Sequence, residues 1–314
     1  MNYHMEIIDP TPNEIPSKLA PLMEAFQSAP FHVAPERSDE LVALYKKYDI
    51  QIRLRADAKD WLFEEFRLGK RILVGLRTLE RLWAYCYGYN TIITELQKAG
   101  LGGVEAMQNQ EEYQLAFHLL NWASQKDLED IEGDWPNFLP SPLLTEELEH
   151  VKTANHFFLM MSGRLLLHEF AHTILNHNNA PGTPPAFLKQ EELDADSWAD
   201  HWILDRWKDY KTDEKVFIGR CLGIAFAHAP TLILGLDAKN VSPSHPSPIE
   251  RILAFVKNYF DNADPTHKRA VDLPCAFLMM IASQLVFMKH GTAPVEPIPR
   301  TYRELFLRFS SYFP

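Results

Sequence analysis

The spacing of hydrophobic and polar residues predicts a mainly helical chain with one small β element. Residues 50–55 alternate apolar and polar positions with period two, which is typical of a half-buried strand. Residues 61–66 fit either a second strand that pairs with this one or the start of a helix. Apolar positions with a helical period predict helices over residues 38–48, 72–96, 110–128, 153–177, 188–207, 213–228, 248–259, 274–289 and 301–309.

A proline-rich stretch at residues 133–142 is the predicted boundary between two regions. Its three prolines cannot continue a helix. The chain is therefore expected to divide into residues 1–140 and residues 141–314.

Composition and charge narrow the classes of function. The formal net charge is −11, and a chain of that sign repels phosphate backbones, so a nucleic-acid partner is not expected. The most apolar run, residues 273–288, is shorter than the ~20 residues that a spanning helix needs, so no membrane partner is expected. Three scattered cysteines and a polar N-terminus without a signal-peptide pattern predict a cytoplasmic protein.

The candidate chemistry begins with the sequence His-Glu-Phe-Ala-His at residues 168–172, which lies inside a predicted helix. His168 and His172 are four residues apart, so both imidazoles lie on one helical face and can reach one metal ion. Glu169 projects beside them, where it can accept a proton from an attacking water. A catalytic zinc site usually has three protein ligands, so a third is expected on a nearby helix.

Glu192 is the predicted third ligand, because it follows His172 across a loop long enough to turn the chain back. Asp196 lies four residues later on the same face, from which it could accept the free ring N–H of His168 or His172. Glu191 is a rival ligand, but it has no carboxylate four residues on. The alternative without function is that these acids only favour the N-terminal end of a helix dipole.

A second segment, residues 244–252, is expected to complete the site. Ser247 and Glu250 form a predicted capping box, which leaves His245 and Arg251 without a structural role. His245 is predicted to stabilise the oxyanion of a tetrahedral intermediate, the alternative being a solvent-exposed loop histidine. Arg251 is predicted to bind substrate through a carbonyl, the alternative being that it holds a structural carboxylate.

His177 is not predicted to be a ligand. Five helical steps after His172 rotate it about 140° away from the metal face, so it is interpreted as a helix-end residue near the C-terminal dipole. The glycine and third histidine of the metzincin pattern are absent, since Leu175 and Asn178 occupy those positions.

These motifs resemble those of known metallopeptidases. The residues from His168 to Asp196 are similar to the gluzincin arrangement, and residues 244–252 are similar to a segment of the HtpX and prenyl-protein (CAAX) proteases, whose transmembrane helices this chain lacks. Among soluble proteins the chain resembles the phage-exclusion Lit peptidases, which are of similar length, have a mid-chain HExxH motif and share a likeness over residues 75–85. The ImmA/IrrE-like proteases also share HExxH with a similar second helix.

The resemblance implies a zinc-dependent endopeptidase with a zincin-like region at residues 141–314, in which the HExxH helix packs against the ExxAD helix. Residues 1–140 would then recognise a substrate or activator. Likeness to the Lit peptidases further implies cleavage of elongation factor Tu during phage infection, with a phage peptide or protein as activator. Three alternatives remain: an ImmA/IrrE- or HtpX-like protease of the stress response, a non-catalytic zinc-stabilised interaction protein, and a latent protease that only a partner opens.

Overall fold

A computed structural model describes residues 17–55, 63–66, 71–99, 111–124, 135, 139–142, 148–177, 182–235, 244–259, 272–282, 304 and 307. The described chain is mainly helical with one small sheet, which confirms the predicted fold class. The helices are α1 (Met23–Val33), α2 (Ser38–Tyr48), α3 (Leu76–Ala99), α4 (Glu111–Ser124), α5 (Glu149–Ile174), α6 (Pro185–Leu204), α7 (Trp207–Tyr210), α8 (Glu214–Gly235), α9 (Pro248–Tyr259) and α10 (272–282). The strands are β1 (Gln51–Arg55), β2 (Phe63–Phe66) and β3 (Arg71–Gly75). Among these helices, none combines the length and apolar character that crossing a membrane requires.

The sheet has the order β1-β3-β2, with β1 parallel and β2 antiparallel to the central β3. The strand predicted at residues 50–55 is confirmed, and the described part of residues 61–66 is a strand that pairs with β3. The helix predicted from residue 72 is wrong over its first four residues, because they form β3. Ile72 and Val74 alternate with less buried neighbours there, and this short apolar run fits both the strand and the helical period.

The other helices follow the predicted pattern with shifted ends. The bounds of α2 and α9 match the prediction, and the motif lies in α5 as expected. The helix predicted over residues 188–207 is α6, which ends at Leu204 and is followed by the separate single turn α7. Half of the predicted boundary 133–142, and most of the predicted helix 301–309, lie outside the described residues.

The chain forms two compact units that do not coincide with the predicted regions. One contains residues 1–29 and 51–159, and the other contains residues 30–50 and 160–314. The change of unit occurs inside helix α5 rather than at the prolines near residue 140. A role of residues 1–140 in substrate or activator recognition stays a prediction.

In the first unit, β3 leads directly into α3, which packs closely against α4. Gly88 allows this approach, because a Cβ at that position would overlap the side chain of Leu120. Tyr85 lies in the same interface and donates its hydroxyl to the carbonyl of Ala123 at 2.9 Å. The aromatic residues of α3 are therefore core residues and not a binding surface.

In the second unit, residues 30–50 are an integral part of the layer around the motif helix. Tyr45 stacks on Phe170 of α5 with ring centroids 4.4 Å apart. Glu36 receives two hydrogen bonds from Arg220 of α8, at 2.7 and 2.8 Å, and both side chains are buried. The segment just before β1 thus stabilises the unit that carries the HExxH motif.

Small residues bring the helices of the second unit together. Ala195 is fully buried on α6, as expected for close packing against a neighbouring helix. Gly223 of α8 lies against α5, where a Cβ would come 2.8 Å from the Cβ of Met160. Helix α5 therefore packs closely against α8, and this packing fixes the position of the helix that carries the motif side chains.

Candidate metal centre

The three predicted metal ligands lie together between α5 and α6. The Nε2 atoms of His168 and His172 are 3.3 Å apart. The Glu192 carboxylate lies 3.4 Å from Nε2 of His168 and 3.5 Å from Nε2 of His172. Both histidines are buried and Glu192 is partly buried, so the cluster faces a partly open surface.

The donor set and its spacing fit a tetrahedral divalent metal. Zinc bonds to histidine nitrogen and carboxylate oxygen are about 2.0–2.2 Å long, which places adjacent tetrahedral ligand atoms roughly 3.3–3.5 Å apart. The 3.3 Å between the two Nε2 atoms matches this spacing. The Glu192 carboxylate lies at similar distances through different oxygens, with Oε2 3.4 Å from His168 Nε2 and Oε1 3.5 Å from His172 Nε2. A set of two histidines and one glutamate also leaves a fourth position for water, which is the arrangement of catalytic rather than structural zinc.

The cluster is one end of a longer arrangement that we call the polar ladder. It consists of three residues of α5 and three of α6, each set spaced by four so that it lies along one helical face: Arg164, His168 and His172 on α5, and Glu192, Asp196 and Asp200 on α6. The helices run in opposite directions here, because the later α5 residue pairs with the earlier α6 residue. The ladder therefore joins the metal ligands to buried charges on the same two helices.

Asp196 is the middle of the ladder and lies at ion-pair distance from three side chains, of which Arg251 also donates hydrogen bonds to it. Its Oδ1 lies 2.9 Å from Nδ1 of His168 and 2.7 Å from Nη2 of Arg164. Arg251 of α9 donates to both carboxylate oxygens at 2.6 Å. The ring nitrogen of His168 that faces away from the cluster thus faces a carboxylate, as predicted for Asp196.

The charges of the ladder shift the pKa values of its members. Burial disfavours charge on His168, but Asp196 and Glu192 outweigh it and raise its pKa to about 9. Burial opposes the ionised form of Glu192 as well, yet His168 and Arg251 lower its pKa to about 2. Asp196 is held ionised in the same way, because Arg164 and Arg251 overcome the effect of burial and keep its pKa well below the usual range.

Arg164 and Asp200 form a rung that the motif analysis missed. Nε of Arg164 donates to Oδ1 of Asp200 at 3.0 Å, and both side chains are buried. Burial raises the pKa of Asp200 to about 6 despite this partner. Spacing by four residues is the sequence signal that could have identified both, since Arg164 precedes His168 by four positions and Asp200 follows Asp196 by four.

Arg251 reaches the ladder from a well-capped helix. The predicted capping box is confirmed: the backbone N–H of Ser247 donates to Glu250, and the N–H of Glu250 donates to Ser247 Oγ. This cap starts α9 at Pro248 and places Arg251 in its first turn against Asp196. The contact favours the structural-carboxylate alternative for Arg251, and substrate binding by this residue stays a prediction.

Glu169 and His245 are the two predicted catalytic residues outside the ligand triangle. Glu169 is partly exposed, and its charge contributes to raising the pKa of Arg251, together with the larger effect of Asp196 and against that of burial. Nε2 of His245 lies 3.8 Å from Oε1 of Glu192, and the His245 side chain is 57% exposed. The structure thus brings the loop histidine to the open side of the ligand cluster.

His177 occupies a position that the helical count did not predict. Helix α5 ends at Ile174, and Asn176 takes a left-handed conformation with φ 54°. The N–H of His177 then donates to the carbonyl of His172 at 3.0 Å, and that of Asn176 donates to Thr173, which is a Schellman motif. The chain turns back, so Nδ1 of His177 lies 2.9 Å from Nδ1 of His172. The interpretation of His177 as a helix-end residue holds, but its assumed distance from the site is wrong because the helix does not continue.

Comparisons with known proteins find similarity to peptidases. The model of the family described as Peptidase U49 matches residues 72–270. The chain is 27% identical over 260 residues to the cell death peptidase of Escherichia coli (strain K12), covering 77% of this chain and 82% of that protein. No solved structure matches the chain significantly.

Proposed function

The chain belongs to the Peptidase U49 family, whose model matches more than half of it, and from this premise we propose that it is a zinc-dependent endopeptidase of the gluzincin type. The observation that carries the metal assignment is the triangle of His168, His172 and Glu192. Their ligand atoms lie within 4.8 Å of one another, and two histidines with one glutamate are a standard ligand set of catalytic zinc. The likeness to a cell death peptidase supports the Lit-type assignment over the HtpX and ImmA/IrrE alternatives.

The chemistry requires a Lewis acid and a base at the same carbonyl. A bound zinc ion would polarise the peptide carbonyl and make water acidic enough to act as a nucleophile near neutral pH. Glu169 would take the proton from the attacking water and return it to the leaving amine. Its position next to His168, on the exposed side of α5, suits a group that must meet the substrate.

The surrounding residues would hold this geometry and bind the transition state. Asp196 orients His168 through Nδ1, and Arg251 fixes Asp196 through two 2.6 Å hydrogen bonds. His245 stands next to Glu192 with most of its side chain exposed, where it could donate a hydrogen bond to an oxyanion. Its Nδ1 is 3.1 Å from Oγ of Ser244, which would orient the ring.

We propose a cytoplasmic protein as the substrate. Elongation factor Tu is the substrate that the likeness to the phage-exclusion Lit peptidases implies, and translation arrest in infected cells would be the outcome. An activating phage peptide or protein is the partner that the same likeness implies. The name of the similar cell death peptidase supports a lethal activity of this kind.

The test compares wild type with Glu169→Gln, which keeps the size of the side chain and removes the base. Phage-infected cells that express wild type should gain new protein termini, first in elongation factor Tu, and uninfected cells that express it show whether the activity needs the phage partner. Glu169→Gln should bind zinc as wild type does and should produce none of these termini. Glu191→Gln changes a neighbouring acid of Glu192 outside the ligand triangle and serves as the matched control that keeps activity.

Other outcomes separate the alternatives. A Glu169→Gln protein that keeps zinc and full proteolytic activity refutes the mechanism. Zinc bound by four protein ligands without water, seen by X-ray absorption, would favour the non-catalytic interaction protein, because structural sites are closed. New termini that appear only after phage infection would identify a latent protease.

A further inference from the structure

We propose that His177 is a positioning residue, which accepts a hydrogen bond from His172 and so keeps the Nε2 lone pair of His172 directed at the metal. The inference rests on the proposed zinc site and adds a member that lies outside both sequence motifs. It concerns the way a ligand is oriented, and His177 itself is not assigned as a ligand.

The contact between the two rings restricts where their protons can be. Nδ1 of His172 and Nδ1 of His177 are 2.9 Å apart, and the ring centroids are 5.0 Å apart with planes at 73°. At this distance one nitrogen must carry the hydrogen and the other must accept it. Two neutral arrangements are therefore available to the pair.

Only one arrangement is compatible with a metal. When His177 accepts, His172 carries its hydrogen on Nδ1, and its Nε2 presents a lone pair toward Glu192 and His168. When His177 donates, the hydrogen of His172 lies on Nε2, and it points at the Nε2 of His168 only 3.3 Å away. The second arrangement removes one metal ligand, so metal binding and acceptance by His177 require each other.

The two ligating histidines are thus oriented by different kinds of group. Nδ1 of His168 faces Asp196, an ionised carboxylate that can only accept. Nδ1 of His172 faces an imidazole, which can accept or donate. Histidine ligands commonly donate their second ring N–H to such a partner, and loss of the partner typically weakens metal binding 10–100-fold.

The backbone holds His177 in place independently of its side chain. The Schellman motif uses the N–H of residue 177 and the left-handed Asn176, and neither depends on an imidazole. Substitution of the side chain at position 177 should therefore leave the end of α5 intact, and its effect can be attributed to the lost acceptor.

The experiment measures zinc affinity by competition with a chromophoric chelator for wild type, His177→Leu and His177→Asn. Leucine removes the acceptor, whereas the asparagine Oδ1 can reach nearly the same place as Nδ1. We expect zinc binding about 10–100-fold weaker for His177→Leu and within about threefold of wild type for His177→Asn, with unchanged unfolding temperatures of the zinc-free proteins. In zinc-loaded wild type, the ¹⁵N resonances of His172 should report a hydrogen on Nδ1.

Three results would overturn the inference. The first is wild-type zinc affinity in His177→Leu, and the second is an equal loss in both variants, which would indicate a merely steric role. The third is a hydrogen on Nε2 of His172 in the zinc-loaded protein, a measurement that needs no variant to fold. Wild type that binds no zinc contradicts the proposed function itself, and the third result would remove His172 from the proposed ligands, whereas the first two results leave the proposed function standing.

Discussion

Asp196→Asn is expected to destabilise the protein strongly, because the Asp196 carboxylate is the shared counter-charge of three neighbouring side chains. Two short hydrogen bonds from Arg251, the contact with Arg164 at 2.7 Å and the contact with His168 at 2.9 Å all end on this side chain. It is 5% exposed, so water cannot replace the lost charge. Asparagine has the same shape, but its amide N–H₂ would oppose the donors of at least one guanidinium.

The size of the loss follows from which charges remain unpaired. Removing one partner of a buried ion pair costs about 3–5 kcal/mol, since the other charge stays buried without compensation. Arg164 keeps Asp200 at 3.0 Å, so part of the charge balance survives there. Arg251 has its bidentate ion pair with Asp196, and the charges of Glu192 and Glu169 are smaller contributions at this side chain. A loss of about 3–5 kcal/mol is a large part of the ~5–15 kcal/mol by which native proteins are stable.

Urea unfolding of the zinc-free protein, followed by circular dichroism, measures this loss. Asp194→Asn is the matched control, because it makes the same change two residues earlier on α6, where the side chain is exposed and contacts Gln190. The control should change the free energy of unfolding by less than about 1 kcal/mol. Equal stability of the two variants would refute the ladder as a coupled, buried charge network.

Three further predictions concern the second unit. In the zinc-free protein the free energy of unfolding should fall by up to about 3 kcal/mol as pH rises from 6.5 to 9, because the pKa of His168 in the folded protein (about 9) exceeds its value in the unfolded chain. Denaturant titrations should show this dependence of stability on pH in wild type, and it should be absent in His168→Gln. Gly223→Ala should lower the free energy of unfolding by about 1–3 kcal/mol, since the new Cβ meets a methionine Cβ at 2.8 Å. Its control is Gly219→Ala, whose Cβ meets no atom within 4 Å and should leave stability unchanged or raise it. Thermal unfolding of both variants measures the difference. Glu36→Gln should lower the free energy of unfolding by about 3–5 kcal/mol, because it leaves its buried arginine partner without a counter-charge. Glu40→Gln should lower it by less than about 1 kcal/mol, because the side chain of Glu40 is 42% exposed. Similar urea midpoints for these two variants would contradict a stabilising role of residues 30–50.

The sequence predicted correctly the bounds of helices whose first residues form capping hydrogen bonds. The bounds of α9 follow from a capping box in which Ser247 and Glu250 satisfy each other's backbone N–H. β3 was missed because its apolar run is short and leads directly into α3, so the strand and the helix follow each other without a connecting loop. Pairing with β1 and β2, which lie earlier in the chain, selects the strand. Such long-range pairing is not encoded in the spacing of Arg71–Gly75 alone.

The parts of the site that depend on residue spacing within a single helix were predictable from the sequence. His168, His172, Glu192 and Asp196 come together as expected, because each pair lies on one face of one helix. The position of His177 required knowledge of where α5 ends. A rotation of about 140° holds only while the helix continues, and the left-handed Asn176 reverses the chain first.

The charge balance of the ladder gives an independent reason for a divalent cation. Four carboxylates and two guanidiniums lie in and around the cluster: Glu169, Glu192, Asp196, Asp200, Arg164 and Arg251. Their formal sum is −2, and buried charge without compensation is costly. In the zinc-free protein a proton on His168 supplies part of the missing positive charge, which is why its pKa rises to about 9. A divalent ion supplies all of it and replaces that proton, so the same carboxylates that stabilise the zinc-free fold favour a metal of charge +2 over a monovalent one.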